Sequence, residues 1–271
     1  MTEPSPGEPS LDKTIDPLTT PAMEVHHHGH VQHNKKWKDY LFQFFMLFLA
    51  VFCGMLSEYL LEHIVEHNKE EQYIQSFIRN IKDDTAELRL FIKVGKEKEK
   101  GLDSLLAISK GNINDSSNRK AFYKWSIKTL FTIPTFSSND ATSIQLRNSG
   151  GYRLIQKRGV ADSLTAYDQL NKLVNIQAGY YSGYFNQANE LWQRVIDLTI
   201  VKDTSYVNSH GFTGKPLPEI IMDPTQKLQF NNKIIFFGGV LKNYNKVLEV
   251  MLDYATRLIA FLQKKYNVKE E

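Results

Sequence analysis

The sequence predicts an all-α protein in which one transmembrane helix continues into an antiparallel, four-helix-bundle-like domain outside the cytoplasm. Three observations carry that expectation. Residues 40–61, YLFQFFMLFLAVFCGMLSEYLL, are apolar except for Gln43, Ser57 and Glu58. Two later segments place apolar side chains at alternating steps of four and three, the period of one helix face. No stretch alternates between apolar and polar residues strongly enough to commit a strand.

Three regions follow in order: a disordered His-rich tail at 1–36, a transmembrane helix at 37–61, and a helical outer domain at 62–271. The first 34 residues hold five of the nine prolines and little large apolar content, too little to offset the entropy of ordering. A helix over residues 40–61 is roughly 30 Å long, about the thickness of a bilayer's hydrocarbon core. Trp37 and Tyr40 stand at one end and Tyr59 at the other, where amphipathic rings favour the interface.

Lys35, Lys36 and Lys38 precede the span, while Glu58, Glu62 and Glu66 follow it. Because lysine and arginine stay on the cytoplasmic side, the tail is expected inside and the larger domain outside. In a bacterium with two membranes this means an inner-membrane, single-pass protein with a periplasmic domain. The span reads as an uncleaved signal anchor, since it begins near residue 40 and no Ala-x-Ala site follows. Phe52 occupies the position where a lipoprotein Cys53 would need a small neighbour.

About 210 residues lie beyond the span, enough for one sizeable core. The chain is 42% hydrophobic and 23% charged, which suits a packed helical domain. Its single cysteine falls in the span, so disulfides contribute nothing to the outer domain. With a formal net charge of +3 and no basic cluster interleaved with aromatics at nucleic-acid spacing, nucleic-acid binding is set aside.

The outer domain opens with a continuation of the membrane helix to about 109, carried by Ile74, Phe77, Ile78, Ile81, Leu88, Phe91 and Ile92. Gly95 and Gly101 are expected to weaken its far end. A shorter helix fits 117–131, entered through Asn114, Asp115 and Ser116, and Pro134 prevents its continuation. A heptad seam then runs through Val160, Leu164, Tyr167, Asn171, Val174, Ala178, Tyr181, Phe185, Ala188, Trp192 and Val195. The last helix repeats the pattern through Ile234, Phe237, Leu241, Tyr244, Leu248, Met251, Ala255, Leu258 and Leu262. Its entry reads as an N-cap at Asp223, a first-turn Pro224 and a capping-box partner at Gln226. Residues 202–222, with Gly211, Gly214, Pro216 and Pro218, read as a long loop.

The block HHHGH followed by NKKWKDYLFQFFMLFLAVFCGMLSEYLLEHIVEHNKEEQYI resembles the N-terminal signature of uncharacterised bacterial single-span membrane proteins. The later IQLRNSGGYRLIQKRGVADSLTAYDQL is similar to a motif of related domains of unknown function, in which a helix, a Ser-Gly turn and a second helix follow one another. The two blocks cover under a third of the chain. The resemblance implies an anchored helical protein and brings no activity with it.

Several residue sets invite chemistry. His63, Glu66 and His67 match the His-x-x-Glu-His spelling of inverted zinc proteases, but they sit on a Glu-rich helix at the membrane exit, and an interfacial helix is the favoured reading. The two histidines also remain candidates for metal or proton sensing. His26, His27, His28, His30 and His33 cluster in the tail as candidate ligands for Zn²⁺, Ni²⁺ or Cu²⁺. Within the span, Ala50, Cys53, Gly54 and Ser57 form a small-residue face suited to helix association. Gly179 and Gly183, and later Gly238 and Gly239, are expected where backbones approach closely or a cavity is shaped. Tyr180, Tyr181, Tyr184, Phe236 and Phe237 are the candidate pocket lining, with core packing the favoured alternative.

No phosphate loop, paired cysteines or nucleophile elbow appears, and the carboxylates stand in charged surroundings. The expectation is a protein without catalytic activity and without a cofactor. Its foremost reading is a membrane-anchored scaffold or interaction protein whose partners are the lipid bilayer and itself or another membrane protein. The alternative is an extracytoplasmic small-molecule sensor that signals through a separate protein.

Overall fold

The computed structural model describes residues 37–268. The described chain is all-α apart from two two-residue strands. Its elements are α1 (Trp37–Lys110), α2 (Ser116–Leu130), α3 (Ala141–Asn148), α4 (Val160–Gln193), β1 (Val207–Asn208), β2 (Gly211–Phe212) and α5 (Pro224–Tyr266). Short 3-10 turns occupy Gly151–Leu154 and Leu198–Val201. Two compact units divide at Ser57 and Glu58.

The described part of the first unit, residues 37–57, is helical and exposed throughout. It supplies one helix segment long and apolar enough to cross a membrane, with none of that segment buried.

In the second unit, α1, α2, α4 and α5 contribute to one apolar core. The two heptad seams fall inside it: every seam position of α5 is buried, and in α4 only Ala178 is merely half-buried. Cross-helix pairs fix α4 and α5 as antiparallel, because Gln187 meets Lys233 at 2.6 Å, Gln177 meets Asn243 at 2.8 Å, and Tyr254 Oη donates to Ser163 O at 3.0 Å. Tyr181 lies between Phe237 and Tyr244, stacked at centroid distances of 5.7 and 5.0 Å. Such aromatic stacks contribute about 0.5–1.5 kcal/mol each beyond area burial.

The helix ends follow their local chemistry. Asp115 accepts from Ser117 N to cap α2. Both halves of the Asp223–Gln226 capping box form, with Pro224 in the first turn, and Asn267 ends α5 in the left-handed conformation. Gly150 and Gly159 take positive φ at the turns that frame the 3-10 segment before α4.

Three expectations change. Gly95 and Gly101 do not weaken the far end of α1, which is helical to Lys110. They are instead where neighbouring helices come closest: a Cβ at Gly95 would stand 2.7 Å from Asn245 Cγ, and one at Gly101 would strike Thr129 Oγ1 and approach Trp125 to 3.2 Å. Conversely, Gly179, Gly183 and Gly239 have open space where a Cβ would stand, and only Leu102 reaches Gly238, at 3.7 Å. The loop at 202–222 contains the β1–β2 hairpin, paired Val207 to Phe212 and Asn208 to Gly211.

Candidate interaction site

The small residues of the candidate span, Ala50, Cys53, Gly54 and Ser57, are all exposed, and no heavy atom lies within 4 Å of a Cβ built on Gly54. The spacing that places them on one helix face is preserved, so this face is available to another helix. The tail histidines His26, His27, His28, His30 and His33 lie outside the described residues.

His63 and His67 do not converge on a common point. The His63 ring stacks with Tyr59 at 6.5 Å, whereas His67 faces Glu71 at 3.4 Å and Glu70 at 3.8 Å. Among the described residues no group of three or more His, Cys, Asp and Glu side chains is placed to hold a metal ion.

The five candidate pocket residues separate. Tyr181 and Phe237 are sealed in the core, stacked on each other. Tyr184 is half-buried, while Tyr180 and Phe236 are 59% and 63% exposed. They line no shared cavity because helix phase puts residues 180 and 181, and likewise 236 and 237, about 100° apart around their axes.

What those residues form instead is an outward surface. Tyr180 and Tyr184 continue the stripe that holds Gln177 and Gln187, and Phe236 continues the stripe of Lys233 and Asn243. The Gln177–Asn243 and Gln187–Lys233 contacts place both stripes on one side of the α4–α5 pair. Ile176 and Ile235, both 57% exposed, and the uncovered Gly179, Gly183 and Gly239 lie on the outward faces of the same two helices. Small residues beside protruding aromatics give a surface of shallow recesses and ridges, a form into which another helix can pack.

The charged groups inside the unit hold the fold. Lys98 is buried and donates to Thr129 O at 2.7 Å and Thr132 O at 2.5 Å, where α2 ends and would otherwise leave carbonyls unpaired. Burial lowers its ammonium pKa to about 8. Asp84 accepts from Tyr167 Oη at 2.5 Å and Asn139 N at 2.8 Å. Burial raises its carboxyl above the usual range, and these two hydrogen bonds oppose that rise. Glu70, also buried, accepts from Tyr266 Oη and from Gln156 N at 3.0 Å.

Comparison with known proteins adds no relative: no family model, no curated protein and no solved structure matches this chain.

Two features of the second unit escape sequence reasoning. Asp168 collects Ser143, Arg147 and Tyr152, with Ser143 Oγ 2.6 Å from Oδ1 and Arg147 2.9 Å from Oδ2. This adds polar bonds between α3 and α4 to the apolar anchor of buried Leu146. The second is a groove between α2 and the hairpin segment, lined by Lys120, Lys124, Ile127, Lys128, Val201, Val207, His210, Gly211 and Phe212. The spacing of its lysines at 120, 124 and 128 was legible in the sequence, but the facing wall comes from residues far along the chain.

Proposed function

We propose that this protein is a membrane-anchored scaffold or interaction protein without catalytic activity, built as one transmembrane helix and an antiparallel four-helix bundle. On this reading it is a single-pass protein of a bacterial cytoplasmic membrane, with its N-terminus inside and the bundle in the periplasm. The lysines before the span and the glutamates after it support that orientation.

The observation that carries the reading is the exposed α4–α5 surface. Tyr180, Phe236, Ile176 and Ile235 are each more than half exposed, on the same helices as Gly179, Gly183 and Gly239, which no side chain among the described residues covers. Interior glycine costs about 1 kcal/mol relative to alanine, and at these three positions no close packing among the described residues offsets that cost. A partner helix lying on this surface supplies it. The small-residue face at Ala50, Gly54 and Ser57 adds a second surface for association inside the bilayer.

Photocrosslinking in intact membranes tests the reading. A benzophenone amino acid placed at Phe236 should give one discrete adduct, a dimer or a single larger complex. The same group at exposed Lys110 of α1 should give none. Monomer alone from Phe236, or the same adducts from both positions, would overturn it.

A further inference from the structure

We propose that the groove between α2 and the β1–β2 hairpin binds an extended segment of a protein partner in which acidic residues alternate with apolar ones. The groove encloses about 430 Å³. One wall is α2, presenting Lys120, Lys124 and Lys128 with Ile127. The facing wall carries the apolar Val201, Val207 and Phe212 together with Gly211 and His210.

Charge complementarity selects the occupant. Helix α2 has no acidic residue among its 15, and none lines the groove. Lys128 is paired with Glu97 at 3.1 Å, but Lys120 and Lys124 have no ion-pair partner among the described residues. The Lys124 and Lys128 ammonium groups lie 6.0 and 5.6 Å from the Trp125 ring centre. Trp125 does not line the groove and Lys128 is held by Glu97, so the charges left for a ligand are those of Lys120 and Lys124.

Spacing selects its form. Lysines four apart on a helix lie about 6 Å from one another along the axis, so the unpaired Lys120 and Lys124 form a row of two charges about that far apart. A ligand with one carboxylate cannot meet such a row. An extended chain presents alternate side chains to one face about 6.6 Å apart, close to the lysine repeat. The intervening side chains then face the opposite way, toward Val201, Val207 and Phe212. A segment with acidic residues on one face and apolar residues on the other satisfies both walls. A nucleic-acid strand would answer the lysines alone and leave the apolar wall without a matching surface.

This inference rests on the interaction-protein reading and names the chemistry of one partner. Its test uses the full chain in phosphatidylcholine nanodiscs, titrated calorimetrically with a short blocked peptide that alternates Glu with Val. Saturable binding is expected, and the paired substitution Lys120→Glu with Lys124→Glu should weaken it at least about tenfold. The matched charge change on exposed positions of α5, Lys242→Glu with Lys246→Glu, should leave it unchanged. A peptide alternating Glu with Ser should also bind at least about tenfold more weakly, because the apolar wall loses its contacts. All four substituted positions are exposed, and a melting curve for each variant shows that it is folded.

Equal binding by the two charge-reversed variants, equal binding of the Glu–Ser peptide, or tighter binding of an oligothymidylate than of the Glu–Val peptide would each overturn the proposal. None of these results would alter crosslinking from Phe236, which lies on α5, so failure here is distinguishable from failure of the scaffold reading.

Discussion

Substituting Gly95→Ala sets helix propensity against packing, and the structure decides which dominates. Propensity alone favours alanine by about 1 kcal/mol in a helix interior. At this position, however, the new Cβ would stand 2.7 Å from both Cγ and Nδ2 of Asn245 and closer still to its Oδ1. Asn245 cannot yield freely, since it is only 4% exposed and its Nδ2 donates to Glu99 Oε1. Overpacking of this kind costs about 1–3 kcal/mol, and disturbing a buried polar bond about 1 kcal/mol or more. The net expectation is a loss of about 2 kcal/mol, or a fall in melting temperature of about 4–8 °C for a domain this size. The measurement is unfolding of the full chain in a non-ionic detergent, followed by tryptophan fluorescence. Gly179→Ala is the internal contrast, because no heavy atom lies within 4 Å of its Cβ position. It should gain up to about 1 kcal/mol. A Gly95→Ala variant as stable as the parent, or shifts of the same sign in both variants, would refute the packing argument.

Other outcomes follow from the same structure. Lys98 has a folded-state pKa of about 8 against the ordinary lysine value of 10.5, so between these limits the unfolded chain binds more protons. The desolvation penalty is therefore full below pH 8 and relieved as pH rises to about 10.5. The parent should gain on Lys98→Met by up to about 3 kcal/mol across that window, and parallel stability curves would contradict this. Asp223→Ala removes one half of the capping box and should cost about 1 kcal/mol in the same unfolding assay, whereas no loss would show that packing alone fixes the start of α5. Oxidation of intact membranes should crosslink Cys53, the chain's single cysteine, into a dimer or to one neighbour. Exclusively monomeric protein would count against association through the span.

The long helices were legible because their buried positions are apolar and recur at helical spacing, as from Val160 to Trp192 and from Ile234 to Leu262. Helix α3 carried no such trace. Its buried residues include Thr142 and Ser143, held by hydrogen bonds to Asn80 and Asp168 from other helices. Glycine shows the limit most plainly. Gly95 and Gly179 are the same residue in the same kind of element, yet one sits under a crossing helix and the other faces open space. Periodicity places a residue around its own axis, but only the neighbouring helix determines what lies above it. The same limit separated Tyr180 from Tyr181: adjacency in sequence suggested one pocket, and helix phase sent one ring outward and one inward.

The Glu70 cluster has an engineering corollary. Because Tyr266 reaches Glu70 directly, the last turn of α5 and the first buried turn of α1 are within one hydrogen bond of each other. A brief linker between them would allow the gene to be rewired as a circular permutant with new termini at the exposed turn of Gly111 and Asn112.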